Sequence, residues 1–153
     1  MKKTTRRDLA FLLPALSIAA RAQEPAPKTP PQVLGSKSYI FEDLPVKADP
    51  APSHKKTRPV AKGILHNGFG LDIHETELGP GEISHPPHRH VYEEAFVILE
   101  GKLEYYCNGN RTVLTPGSIG FAGSNDEHGV KNTGDTRCRY AVFELGVGSV
   151  DKK

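Results

Sequence analysis

The stretch His85-Pro86-Pro87-His88-Arg89-His90-Val91-Tyr92-Glu93-Glu94-Ala95-Phe96-Val97-Ile98-Leu99-Glu100-Gly101 holds three of the seven histidines within six residues. It then runs into five consecutive apolar positions. Residues two apart share one face of a strand. His88 and His90 therefore project together, and so do Glu94, Phe96 and Ile98, while Glu93, Ala95, Val97 and Leu99 take the other face. An antiparallel sheet with one solvated face alternates apolar and polar residues. Ala95 to Leu99 does not alternate, so both faces of this strand require cover.

Outward from this stretch, residues 60 onward read as short apolar-alternating runs broken by turn residues every eight to twelve positions. Such text describes an antiparallel sandwich or barrel with few helices. The pattern predicts strands over 60–66, 69–78, 83–90, 94–99, 103–107, 111–114, 118–122, 128–133 and 138–145. Gly79-Pro80-Gly81, Glu100-Gly101-Lys102, Asn108-Gly109-Asn110, Pro116-Gly117 and Asn132-Thr133-Gly134-Asp135 supply the turns between them.

Two motifs in this region resemble the cupin superfamily, and the resemblance covers most of residues 60–147. The first pattern, a glycine, His-x-His, a glutamate and a second glycine, is met by Gly81, His88-Arg89-His90, Glu94 and Gly101. Six residues instead of five separate Gly81 from His88, which implies a slightly longer turn. The second pattern is met by Gly117, His128 and Asn132. Gly123 stands there in place of a proline, and Asn125 in place of a glycine. Asparagine tolerates the left-handed backbone conformation, so the turn at 125 is expected to survive.

The resemblance implies an all-β fold, a double-stranded β-helix or jelly-roll barrel, of the small single-domain cupin type. It also implies metal ligation by His88, His90, Glu94 and His128. Three imidazoles and one carboxylate suit one divalent ion of Fe, Mn, Ni, Cu or Zn. On parity Glu93 faces away and does not compete with Glu94. Phe96, Ile98 and His85 are the candidates for the wall of a pocket beside the metal. Cys107 and Cys138 fall at no motif position, and in such a jelly roll they lie in opposite sheets, where a wide Cα separation cannot be bridged.

The N-terminal text is of a different kind. Lys2, Lys3, Arg6 and Arg7 precede an apolar run from Leu9 to Ala20 that is too short to span a bilayer, and Ala20-Arg21-Ala22 has the form of a cleavage site. Residues 1–22 are expected to be an export signal, by Thr5-Arg6-Arg7-Asp8-Leu9 of twin-arginine more than Sec type, to the periplasm or beyond the cell. A proline-rich linker over 23–35, an arm over 36–59, the barrel over 60–147 and a tail over 148–153 complete the organisation. Pro45, Pro50, Pro52 and Pro59 argue for an arm lying along the domain.

The chain of 153 residues is 37% hydrophobic and 25% charged. Its formal charge of +2 is set by the signal, which holds five of the 20 basic residues and one of the 18 acidic ones, leaving 15 against 17. Nothing in the remainder attracts nucleic acid, and no membrane anchor is expected after signal cleavage. No Gly-x-Ser-x-Gly elbow supports a serine hydrolase. Three function classes follow: a metalloenzyme acting on a small organic molecule by dioxygenation, isomerisation or hydrolysis, a non-catalytic barrel that binds or senses a small ligand, and a metal-free structural barrel. The apolar outer row Ala95, Val97 and Leu99 predicts a homodimer, with help from the arm around Tyr39 to Leu44.

Overall fold

A computed structural model describes residues 32–149. The expected signal at 1–22, the linker up to residue 31 and tail residues 150–153 lie outside the described residues. One 3-10 turn, Phe41–Asp43, precedes nine strands: β1 (Lys47–Ala48), β2 (Lys56–Ile64), β3 (Gly70–Leu78), β4 (Glu93–Glu100), β5 (Leu103–Cys107), β6 (Asn110–Leu114), β7 (Ile119–Ala122), β8 (His128–Asn132) and β9 (Cys138–Leu145). They form a six-stranded sheet in the order β1-β2-β3-β9-β4-β7 and a three-stranded sheet in the order β6-β5-β8. Every named pairing is antiparallel. The architecture is the all-β jelly roll expected from the sequence. No helix among the described residues is long and apolar enough to cross a membrane.

The core lies where the two sheets face each other. Leu78, Phe96, Ile98, Leu103, Val130, Cys138, Tyr140 and Val142 form one buried cluster. Phe96 from the larger sheet meets Tyr105 of the smaller one edge to face, with ring centroids 5.0 Å apart. It sits opposite Gly120 on β7, where a Cβ would come within 2.1 Å of the Phe96 ring, so this strand position has no room for a side chain. Cys107 on β5 and Cys138 on β9 lie in different sheets, as expected. Burial pushes the Cys138 thiol up to about 11.

Two expectations need correction. Residues 83–90 do not form a strand. Pro86 and Pro87 lack the N–H a ladder requires, and only isolated bridges, Ile83 to Lys131 and His88 to His128, connect this segment to β8. Conversely, the six-stranded sheet reaches into the expected arm, since β1 and the start of β2 precede residue 60. Pro59 is accommodated by a register shift: it pairs with His74 and Ala61 pairs with Ile73, leaving Val60 as the extra residue.

The arm is held from the outside. The guanidinium groups of Arg58 and Arg139 each lie over the Phe41 ring, 4.5 Å from its centroid. Arg139 binds Glu75 and Glu100, and Arg58 and Arg137 both bind the buried Glu77. The outward side chains of β7 stay uncovered within one chain: Ile119 is 67% and Phe121 56% exposed.

Candidate metal centre

The four residues implicated by the sequence come from three places in the fold. His88 and His90 lie in the irregular segment before β4, Glu94 is near the start of β4, and His128 begins β8. His88 and His128 exchange both backbone hydrogen bonds at 3.0 Å, which fixes two of the imidazoles directly opposite each other. The His90 carbonyl accepts the Asn125 N–H at 2.7 Å, and Arg89 donates to the Asn125 carbonyl at 2.8 Å. Asn125 has a φ of 62°, so it adopts the left-handed conformation expected of the residue replacing glycine, and its turn holds the His90 segment in place.

The imidazoles converge, with ring centroids 4.6 Å apart for His88 and His128, 4.7 Å for His90 and His128, and 5.2 Å for His88 and His90. One nitrogen from each ring lies within 4.8 Å of the others, a group that can hold a metal ion. The Glu94 carboxylate approaches His90 Nε2 at 3.6 Å and His128 Nε2 at 3.8 Å. Glu93 lies on the other side of β4, close to Gly146.

Hydrogen bonding determines which nitrogens face inward. His90 Nδ1 lies 2.7 Å from the Tyr92 carbonyl oxygen, and His128 Nδ1 lies 2.9 Å from that of Asp126. A carbonyl can only accept, so both Nδ1 atoms carry the proton and both Nε2 lone pairs point into the cluster. His90 Nε2, His128 Nε2 and His88 Nδ1 are all buried without a hydrogen-bond partner. Buried polar atoms are rarely left unpaired, and three such lone pairs converging beside a carboxylate fit a divalent cation. Burial, reinforced by the neighbouring histidines, holds His88 down to about 4, so its ring is neutral at neutral pH, as a ligand must be.

A cavity of about 240 Å³ opens beside the cluster. His74, His85, Tyr92, Tyr140 and Glu144 line it together with His88, Glu94 and His128, and Val130 and Val142 form an apolar part of its wall. Burial lowers His74 and His85 from the usual histidine range and raises Glu144 from the carboxylate range. Of the three pocket candidates, only His85 lies in this wall. Phe96 and Ile98 are 0% and 1% exposed, because β4 carries the residues two and four positions on from Glu94 into the core cluster, where Phe96 meets the Tyr140 ring and Ile98 pairs with Tyr140 across the strands.

Sequence alone does not mark His74, Tyr140 and Glu144 as wall residues. Strand parity groups Tyr140 with Val142 and Glu144, but only the register, which sets Glu94 against Glu144 and His74 against Val142, brings them to the cluster.

Residues 74–144 match the family model described as Cupin domain. No curated protein matches the sequence. Among solved structures the chain is similar to an RmlC-like cupin from Shewanella frigidimarina at 18% identity, over 73% of this chain and 92% of that one, with a TM-score of 0.59. It is similar to KdgF from Halomonas sp. at 19% identity, over 72% and 94%, with a TM-score of 0.59. A third is the polyketide cyclase RemF from Streptomyces resistomycificus at 20% identity, over 72% and 80%, with a TM-score of 0.57. The fold is the cupin jelly roll, and the residues that match the family model run from within β3 to within β9.

Proposed function

We propose that this chain is a small exported cupin that works as a metalloenzyme on a small organic molecule, with His88, His90, Glu94 and His128 holding one divalent transition-metal ion. The observation that carries this reading is the convergence of three buried, unpartnered imidazole nitrogens beside the Glu94 carboxylate. A fold alone does not assign an activity; the site supplies the support. When bound, a divalent ion with four protein ligands supplies Lewis-acid chemistry at the coordination positions left open.

The chain's own groups do the rest. The carbonyls of Tyr92 and Asp126 fix the tautomers of His90 and His128, and Glu94 supplies the compensating negative charge. Val130 and Val142 exclude water from one side of the cavity, while His74, Tyr140 and Glu144 present hydrogen-bonding groups to a bound molecule. The test is oxygen uptake or product formation by the metal-loaded chain across a panel of small metabolites. Turnover that disappears in His128→Ala supports the enzyme. Saturable binding without turnover of any bound compound favours the non-catalytic ligand-binding barrel instead.

Export belongs to the same proposal. Changing Arg6 and Arg7 together to Lys blocks delivery to the periplasm if the twin-arginine route operates. Unimpaired delivery assigns the signal to the Sec route. A homodimer is proposed as well, since Val97 pairs with the exposed Ile119 on the outer face of the larger sheet and the Phe41 contacts lie elsewhere, at Arg58 and Arg139.

A further inference from the structure

The charged side chains in the cavity wall, apart from imidazoles, are two carboxylates, Glu94 and Glu144. No lysine or arginine among the described residues lines it. The basic groups nearest to it are committed elsewhere. Lys62 is paired with Asp72. Lys55 donates to the Ser84 carbonyl at 2.9 Å with Asp49 at 3.9 Å, and Arg89 donates to the Asn125 carbonyl. Arg58, Arg137 and Arg139 are bound to glutamates on the outer face.

A bound anion would have no cationic side chain to pair with, would face the Glu144 carboxyl across from Glu94, and would meet a divalent ion whose charge those two carboxylates already balance. Hydroxyl groups, in contrast, find acceptors and donors in Glu144, His74, Ser84 and Tyr140. Val130 and Val142 offer an apolar surface to a carbon skeleton, and about 240 Å³ is below the range of drug-sized pockets. We infer that the cavity selects uncharged, hydroxyl-bearing molecules about the size of one ring, and that Glu144 is the residue that rejects carboxylates and phosphates. This deepens the proposed function and rests on it for the orientation of the ligand toward the metal.

The experiment uses the full chain loaded with Co(II), whose visible bands report a change in coordination. Two matched pairs are titrated: benzyl alcohol against benzoate, and dihydroxyacetone against glycerate. The neutral member of each pair is expected to perturb the bands at a concentration at least about tenfold lower than its anionic partner. Glu144→Lys is expected to abolish or reverse that order while one equivalent of cobalt is retained. Equal or tighter binding of benzoate and glycerate by the unmodified chain overturns the inference. Loss of cobalt binding itself would count against the metal site, not against this selectivity. In that event the same pairs are read by the backbone amide signals of Gly129 and Val142 in the metal-free chain. Benzyl alcohol shifting them at the lower concentration supports the inference, and benzoate doing so overturns it.

Discussion

Tyr92 holds His90 in two ways: its ring stacks on the imidazole with centroids 3.8 Å apart and planes 10° from parallel, and its carbonyl accepts the His90 Nδ1 proton at 2.7 Å. The ring and the carbonyl fix different degrees of freedom, the first the tilt of the imidazole and the second its tautomer. Groups that orient a ligand typically contribute about 10- to 100-fold to metal affinity. Tyr92→Leu keeps the carbonyl and loses the stacked ring, so it is expected to weaken metal binding about tenfold, measured by competition with a chromophoric chelator. Tyr92→Phe is expected to bind as the parent does. Equal affinity in all three proteins would remove the ring from this role.

Acid is expected to destabilise the metal-free chain. Burial lowers His74, His85 and His88 in the folded state, His88 to about 4, whereas in the unfolded chain each titrates near 6.5. Below about 6.5 the unfolded state therefore takes up protons that the folded state refuses. The contribution of these groups is complete above 6.5 and declines as pH falls toward about 4. Glu144, raised by burial, acts in the opposite sense, one group against three. The melting temperature of the metal-free chain should drop between about pH 7 and about pH 4.5, less so in His88→Gln. A flat profile would contradict the buried, neutral histidines.

Asn132 is fully buried, and its side-chain amide is shared among the carbonyls of Leu78, Gly79 and Thr136 at 2.8 to 3.0 Å, while its oxygen accepts the Gly134 N–H at 2.9 Å. It joins the end of β3 to the turn after β8. Asn132→Ala leaves these buried groups without partners, at an expected loss of about 3 kcal/mol in chemical denaturation. A loss below about 0.5 kcal/mol would mean that water replaces the amide.

The outer face of the larger sheet sets the expected assembly. Static light scattering is expected to report a dimer for the chain and a monomer for Val97→Glu, because a charge there opposes burial of the row that includes Ile119. Metal binding should be unchanged, since Val97 and Glu94 lie on opposite faces of β4. A monomeric parent chain would refute the assembly.

Much of the site was legible before the fold, for a physical reason. The two-residue period that groups His88 with His90, and Glu94 with Phe96, depends on extended backbone and not on regular pairing. It therefore holds through 83–90, where Pro86 and Pro87 prevent the expected strand. The substitution of Asn125 for glycine was readable because left-handed backbone tolerates few residue types. The cavity wall was not readable, because Glu144 and His74 reach Glu94 only through the β3-β9-β4 register, which links residues up to about 70 positions apart. The depth of Phe96 was hidden for a similar reason: strand parity gives the face of a residue but not its distance from the barrel mouth.

The central claim is tested most directly by metal analysis of the chain purified from its own exported compartment without added metal, beside the double variant His90→Ala with His128→Ala. The account predicts about one equivalent of a divalent transition metal in the parent chain and none in the variant, with the β-sheet circular dichroism of both alike, because the apolar core lies apart from the ligands. A full equivalent of metal in the double variant, or none in the parent chain, would contradict it.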